Sequence, residues 1–229
     1  MRNFSFILFL LFSSSLQAQD SVSQKGWAAT LAPALIPISQ PGLGIQPGIE
    51  YRFNDRYSLL AEFTIPVNGK NSKDSSELDK KYFRIKSELR YSFLSKRKTS
   101  HQYAGLQLSH ASRHFINRNG FYYDKHPADS VYYYDNASIK SPVTTVTLQF
   151  GSIFTRGRFA LDVFLGVGAR FINTDITDIV NPVRGVIIRG TDRPNFTASY
   201  SFAGGITMLQ VNAGIRAMWH FYEFRHPRK

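Results

Sequence analysis

The 229-residue sequence contains no cysteine. Disulfide bonds, thiolate metal sites and a cysteine nucleophile are therefore excluded. A lipid-modified N-terminal cysteine is excluded as well, so any attachment to a membrane must come from the fold itself. The chain is therefore neither a disulfide-stabilised secreted protein nor a lipoprotein anchored through cysteine.

A second absence is that of a long apolar run. No stretch of the chain approaches the ~20 continuous apolar residues of a membrane-spanning helix. Glycine-rich phosphate loops after a parallel strand are also missing. The histidines that could bind a metal ion lack a convincing ligand spacing: His101, His110, His114 and His126. We therefore expect no helical membrane span, no metal and no cofactor.

Residues 1–18 have the features of a secretory signal peptide. Arg2 supplies the positive start, an apolar run follows, and small residues precede a cleavage site after Ala18. The alternative is a transmembrane helix, but the apolar run of about nine residues is too short to span a bilayer. We predict a cleaved signal over 1–18 and a short periplasmic lead over 19–26.

The formal net charge of +12 raises the possibility of a nucleic-acid partner. Export through a signal peptide argues against it, and no basic helix or stacked-aromatic motif accompanies the charge. Anionic lipid headgroups and the phosphates of lipopolysaccharide explain a basic exported surface better. We expect outer-membrane lipid and lipopolysaccharide as partners, and no nucleic acid.

The stretch 143–171 has the pattern of two long strands joined by the tight turn 155–158. A period of two indicates strand rather than helix. The apolar faces comprise Val146, Leu148, Phe150 and Phe154, then Phe159, Leu161, Val163, Leu165, Val167, Ala169 and Phe171. Ile153 and Phe164 break the alternation. Each strand runs for roughly 11 to 13 residues, near the ~9–11 that cross a bilayer when tilted.

Periodicity alone does not say which face is inside. A soluble lipocalin-like barrel would turn the apolar face inward, whereas a membrane barrel turns it towards lipid. Aromatic residues near the strand ends favour the membrane, because they match an aromatic girdle: Phe150, Phe154, Phe159 and Phe171. The mixture of glycine and charge on the opposite face also suits a narrow, filled interior.

Four charged residues occupy every second position of one strand: Arg84, Lys86, Glu88 and Arg90. On a soluble protein this row would be a solvated face. In a small barrel it would be an inward charge ladder that needs opposite charges nearby. We predict the inward ladder, paired with Glu50, Glu62 and Asp162 on other strands.

The connections alternate between short and long, as in outer-membrane barrels. Short turns are expected at 54–56, 94–100 and 155–158, and long loops at 68–81, 112–142 and 172–209. With a weak first strand at 27–35 and a last one at 210–221, the pattern predicts an all-β, closed antiparallel up-and-down transmembrane β-barrel over 27–224. Eight strands are expected; residues 196–206 form either a further spanning strand or a loop extension, so ten are possible. A basic tail follows at 225–229.

Four short stretches carry a resemblance to small outer-membrane β-barrels of Bacteroidota-type bacteria, including barrels classed as domains of unknown function. They are Gly48-Ile49-Glu50-Tyr51-Arg52-Phe53, Glu88-Leu89-Arg90-Tyr91-Ser92-Phe93, Ala104-Gly105-Leu106-Gln107-Leu108 and Leu165-Gly166-Val167-Gly168-Ala169. The resemblance implies location in the cell outer membrane and insertion by the barrel-assembly machinery. It brings no catalytic residues.

His110-Ala111-Ser112 is similar to the His-x-Ser pair of lipid A 3-O-deacylase barrels. That resemblance implies His110 as the base and Ser112 as the nucleophile. The chain departs from the pattern, because Arg113 replaces the expected asparagine and the strand 143–154 carries no glutamate. We therefore predict a monomeric, non-enzymatic outer-membrane protein with an envelope-structural or surface-binding role and no catalytic, cofactor or metal residues; a deacylase-like hydrolase is the alternative.

Overall fold

The computed structural model describes residues 25–36, 42–67, 77–93, 100–123, 130–185 and 201–221. They form ten antiparallel strands: β1 (Gly26–Ile36), β2 (Gly42–Arg52), β3 (Tyr57–Val67), β4 (Glu77–Phe93), β5 (Ser100–Tyr123), β6 (Val131–Lys140), β7 (Val143–Arg156), β8 (Phe159–Val180), β9 (Val183–Gly185) and β10 (Gly204–His220). Among these residues no helix is long and apolar enough to cross a membrane.

Eight of the strands form a ring in the order β1, β2, β3, β4, β5, β7, β8 and β10, and β10 pairs back with β1. The predicted all-β, antiparallel up-and-down sheet of eight strands is confirmed. Short turns at 53–56 and 157–158 mark one end of the ring, here called the lower end. Asn54 shapes the first turn, because its Oδ1 accepts the N–H groups of Arg56 and Tyr57, both at 2.9 Å.

β6 and β9 lie outside the ring, at its upper end. β6 pairs with the upper parts of β5 and β8, and β9 pairs with β6. The prediction of long loops at 112–142 and 172–209 is therefore wrong for most of their described residues. The tyrosines and asparagines of 112–142 suggested a loop, but tyrosine also favours strands. Tyr123, Val131, Phe202 and Ile206 form a buried apolar cluster that holds this extension together.

Two other predicted boundaries shift in the same direction. β4 begins at Glu77, inside the predicted loop 68–81, and β10 begins at Gly204 rather than at 210. Residues 204–206 thus belong to the last strand of the ring and form no separate strand. The predicted signal peptide at 1–18, residues 196–200 and the basic tail at 225–229 lie outside the described residues.

The two faces of the ring have the predicted directions. Large apolar side chains point outward and are exposed, and polar or charged side chains point inward and are buried. Both exceptions to the alternation, Ile153 and Phe164, also point inward. Ile153 packs with Tyr103, Ala160 and other buried residues near the lower end, and Phe164 packs against that cluster.

Gly168 marks a position where β7 and β8 leave no room for a side chain. A Cβ atom placed there would overlap the backbone carbonyl oxygen of Val146. Glycine is thus required by the close approach of two backbones, which is one of the reasons for glycine inside a strand.

Candidate functional site

The interior of the ring contains a network of buried charges centred on Arg216 of β10. Its Nε and Nη2 donate to the two carboxylate oxygens of Glu62 on β3, at 2.6 Å and 3.1 Å. Its Nη1 donates to Asp162 on β8, and Nη2 lies 3.6 Å from Glu88 on β4. One guanidinium therefore links three strands of the ring to β10.

Arg90 of β4 is the second centre of the network. Nε donates to Glu88 at 2.8 Å, Nη1 to Glu50 at 3.2 Å and Nη2 to Asp162 at 2.9 Å. Asp162 thus accepts from both arginines, and it also accepts from the Tyr103 hydroxyl at 3.0 Å. A fully buried carboxylate that receives this many charged and neutral donors is well compensated for its loss of water.

Lys86 occupies the upper edge of the network. Its ammonium lies 2.9 Å from Glu62 and donates to Gln46 at 3.2 Å. Aromatic rings fill the remaining space, since the Arg216 guanidinium lies 4.8 Å from the centre of the Phe164 ring. The Arg90 guanidinium lies 4.5 Å from the centre of the Tyr103 ring in the same way.

The predicted pairing of the charge ladder with Glu50, Glu62 and Asp162 is confirmed for Lys86 and Arg90. Arg216 is the member that the sequence did not assign to the network, although its inward direction was predictable from its position on the last strand. Tyr103 was also missed. Its hydroxyl can be recognised as a partner only when β5 is placed beside β7 and β8.

Above this network lies a cavity of about 700 Å³. Its walls include Arg84, Arg113 and Arg170 from β4, β5 and β8, and Lys86 lines it from the network side. Among the described residues that line the cavity there is no aspartate or glutamate. The interior is therefore divided into a neutralised layer below and a basic chamber above.

The described partners of Arg84 and Arg170 are neutral groups. Arg170 Nε donates to the Gln210 side chain at 2.8 Å, and Arg84 interacts with the Tyr82 hydroxyl. Arg113 is buried and donates to the Ser141 carbonyl oxygen at 3.0 Å and to its hydroxyl at 2.8 Å. Arg84 and Arg170 are also close enough to repel each other.

The seam between β1 and β10 is short beside this cavity. Described pairing joins Ala28–Leu31 to Ala217–His220 and stops there, whereas β1 pairs with β2 along its whole length. The Trp27 carbonyl accepts from Phe221 N at 3.0 Å, so odd-numbered residues of β1 direct their backbone groups to β10. Pro33 therefore lacks its N–H on the β10 side, where the ladder would need it.

His110 and Ser112 both lie on the outer face of β5, as predicted, and both are exposed. They lie inside the continuous strand rather than at its junction with a loop. His110 Nδ1 hydrogen bonds with Thr144 Oγ1 of β7 at 3.0 Å. A threonine thus occupies the place where the resemblance expects a glutamate, and Arg113 points to the opposite face of the strand.

Within the described residues, no group of three or more His, Asp or Glu side chains is arranged to hold a metal ion. The sequence matches no family model, and no similar curated protein or solved structure was found. Function must therefore be inferred from three features of this chain: its apolar outer face, its buried charge network and its basic cavity.

Proposed function

We propose that the chain is a non-enzymatic integral outer-membrane β-barrel protein that uses its upper end as a binding surface. In this proposal lipid surrounds the ring of eight strands, and the protein acts as a monomer, inserted by the barrel-assembly machinery. The proposal extends to a relationship with the small Bacteroidota-type barrels that the strand patterns resemble.

The observation that carries the membrane location is the inverted distribution of polarity around the ring. Leu165, for example, exposes 55% of its surface on the outer face of β8, whereas Asp162 of the same strand is fully buried. Exposed large apolar residues occur on every strand of the ring. Water-soluble monomers rarely expose contiguous apolar patches larger than a few hundred Å². Lipid is the solvent in which such an outer face is stable.

Exposed aromatic residues indicate how the ring would be oriented across the membrane. Exposed aromatic side chains gather where strands meet the short turns of the lower end: Trp27, Phe53, Tyr57, Phe154, Phe159, Trp219 and Phe221. Such a girdle is typical of the interface between lipid and water. Because short turns face the periplasm in outer-membrane barrels, the extension formed by β6 and β9 would face the cell exterior.

The upper extension is the part suited to contact other molecules. Tyr122 of β5 stacks on Tyr132 of β6 with ring centres 5.2 Å apart, and the exposed Phe121 and Tyr133 lie side by side 6.2 Å apart. Tyrosine provides both apolar area and a hydroxyl, so it is enriched in binding surfaces. A surface-binding role therefore follows more directly from this extension than a purely structural one.

A deacylase-like activity is less favoured. A serine hydroxyl becomes a strong nucleophile only when a base takes its proton, and the base works best when a third group orients it. The described partner of His110 is a threonine, Thr144, and not a carboxylate. We therefore keep the non-enzymatic role as the proposal.

Cell fractionation tests the location. After a carbonate wash, the protein should remain in the outer-membrane pellet together with a known outer-membrane marker. Recovery in the soluble periplasmic fraction would overturn the proposal and favour a lipocalin-like container. Antibody or protease access to a tag inserted between β5 and β6 in intact cells would test whether the extension faces outward.

A further inference from the structure

We propose that the basic cavity above the charge network is a binding site for a phosphate-bearing ligand, which reaches it through the seam between β1 and β10. The site itself rests on the fold alone. The lateral route rests also on the proposed membrane location, because only then does the seam face lipid.

The chamber carries a concentration of positive charge. Arg84 and Arg170 are half-buried, so their guanidinium groups combine partial loss of water with access to the cavity. The described partners of both are uncharged, and the two repel each other. An anion with two or more negative charges would neutralise both. Phosphate fits best, because its oxygens match the planar donor pattern of a guanidinium.

The size and lining of the chamber suit a small ligand. A volume of about 700 Å³ lies within the range of small-molecule sites. On its lower side the chamber is lined by Lys86 and Phe164, which also contact the charge network, Lys86 through Glu62 and Phe164 through Arg216. Gln46, Gln210 and Asn212 add neutral hydrogen-bonding groups to the wall. Positive charge for an anion and amide groups for its neighbouring polar atoms are thus present in one cavity.

The chamber also has a lateral route to the outside of the ring. The cavity is lined by Pro33 and Ala34 of β1 and by residues 211–215 of β10, the two segments that face each other where the described pairing has stopped. Val211, Ala213 and Ile215 belong to the outer, apolar face, so the wall of the cavity reaches the outside of the ring at this point. Unpaired backbone at membrane depth is tolerated where it lines a polar cavity.

This geometry favours a lipid as the source of the phosphate. The headgroup would lie against Arg84 and Arg170, and the acyl chains would leave between β1 and β10 to join the surrounding lipid. A soluble phosphorylated molecule could supply the same chemistry from the upper end. Both sources would place the phosphate at the same site. Only the lipid would require the opening between β1 and β10.

The test uses the full-length mature protein in a neutral maltoside detergent. Inorganic pyrophosphate is titrated by calorimetry at constant ionic strength, and lipids retained from the membrane are identified by native mass spectrometry. The variants are Arg84→Gln, Arg170→Gln and their combination. Arg156→Gln is the matched control, since it removes an exposed arginine at the lower end of the ring.

We expect pyrophosphate to bind the wild type and Arg156→Gln equally, and each cavity variant to bind roughly tenfold or more weakly, as for the loss of one charged hydrogen-bonding partner. Phosphate-bearing lipid should be retained by the wild type and the control and lost from the double variant. Arg84→Lys and Arg170→Lys keep the charge but lose the planar donor pattern, so they should bind pyrophosphate more tightly than the glutamine variants and more weakly than the wild type. Circular dichroism should show native strand content in every variant.

Different results would contradict different parts of the proposal. Absence of both pyrophosphate and lipid binding, or equal weakening by Arg156→Gln, would overturn the phosphate site. Pyrophosphate binding without lipid retention would support the site and overturn the lateral route. Failure of the protein to fractionate with the outer membrane would overturn the proposed location while leaving pyrophosphate binding by the purified ring as a separate result.

Discussion

Arg216 and Glu62 lie 154 residues apart in sequence, and they form a two-pronged ion pair inside the ring with distances of 2.6 Å and 3.1 Å. The pair joins the last strand to the third. Since β10 also meets β1 through only four described residue pairs, this contact is one of the links that hold the two ends of the chain together.

The first prediction concerns that pair. Arg216→Met leaves the buried carboxylates of Glu62 and Asp162 without their shared guanidinium, and it should reduce the free energy of unfolding by about 3–5 kcal/mol. Adding Glu62→Gln to the same variant should recover part of the loss, because one uncompensated charge is removed. Urea unfolding of the protein in lipid vesicles, followed by tryptophan fluorescence, measures both changes.

The control for this prediction is Asp178→Asn, which neutralises an exposed carboxylate on the upper part of β8. Its stability should equal that of the wild type within error. If Arg216→Met were as stable as this control, the network would make no net contribution to folding.

The second prediction concerns the outer face. Leu165→Arg places a charge on the exposed apolar side of β8 and should cost roughly 2–4 kcal/mol if this residue lies near the middle of the bilayer. Thr177→Arg is the matched control, because Thr177 is exposed on the same strand beyond the ring. Unfolding from lipid vesicles should distinguish the two. A tolerated Leu165→Arg would indicate that water, not lipid, contacts this face.

The third prediction concerns the contact between β7 and β8. Gly168→Ala should lower the free energy of unfolding by roughly 1–3 kcal/mol, since the added methyl group meets the Val146 backbone and the strands must separate. Gly205→Ala should have little effect, because nothing lies within 4 Å of its added Cβ. Equal stability of the two variants would show that the strands adjust to the methyl group without cost.

The fourth prediction separates the non-enzymatic proposal from the hydrolase alternative. Mass spectrometry of lipid A should give the same acyl-chain pattern from cells with and without the protein, because His110 lacks an orienting carboxylate among its described contacts. Loss of a 3-O-linked acyl chain in cells expressing the wild type, but not His110→Ala or Ser112→Ala, would make the chain an enzyme.

The sequence by itself determined the strand class and the direction of most side chains. Its period of two is retained along most of the ring, as in the alternating burial of β3, and residues such as Glu62, Asp162 and Arg90 point inward as their positions predicted. The reason is local: successive residues of a strand alternate between two faces whatever the partner strand is. Even Ile153 and Phe164, which broke the apolar pattern, obey the backbone alternation.

Sequence reasoning failed where composition was used in place of periodicity. Residues 112–123 and 131–140 are rich in polar and tyrosine residues, which suggested a loop, but β5 continues to Tyr123 and β6 follows it. The partners that stabilise these segments, such as Phe202 and Ile206, come from much later in the chain. A strand that depends on distant partners leaves a weak local signal.

Only the tertiary structure decided which inward charges meet. An alternating pattern places Arg216, Asp162 and Glu62 in the interior, but their heights depend on the register between strands, which a sequence pattern does not specify. The same register collects Arg84 and Arg170 into one chamber with no carboxylate among its described lining residues, and it leaves Pro33 beside a part of β10 that has no described pairing with β1. Side-chain direction is thus a local property of the chain, whereas charge pairing and cavity formation arise from contacts between strands that are far apart in sequence.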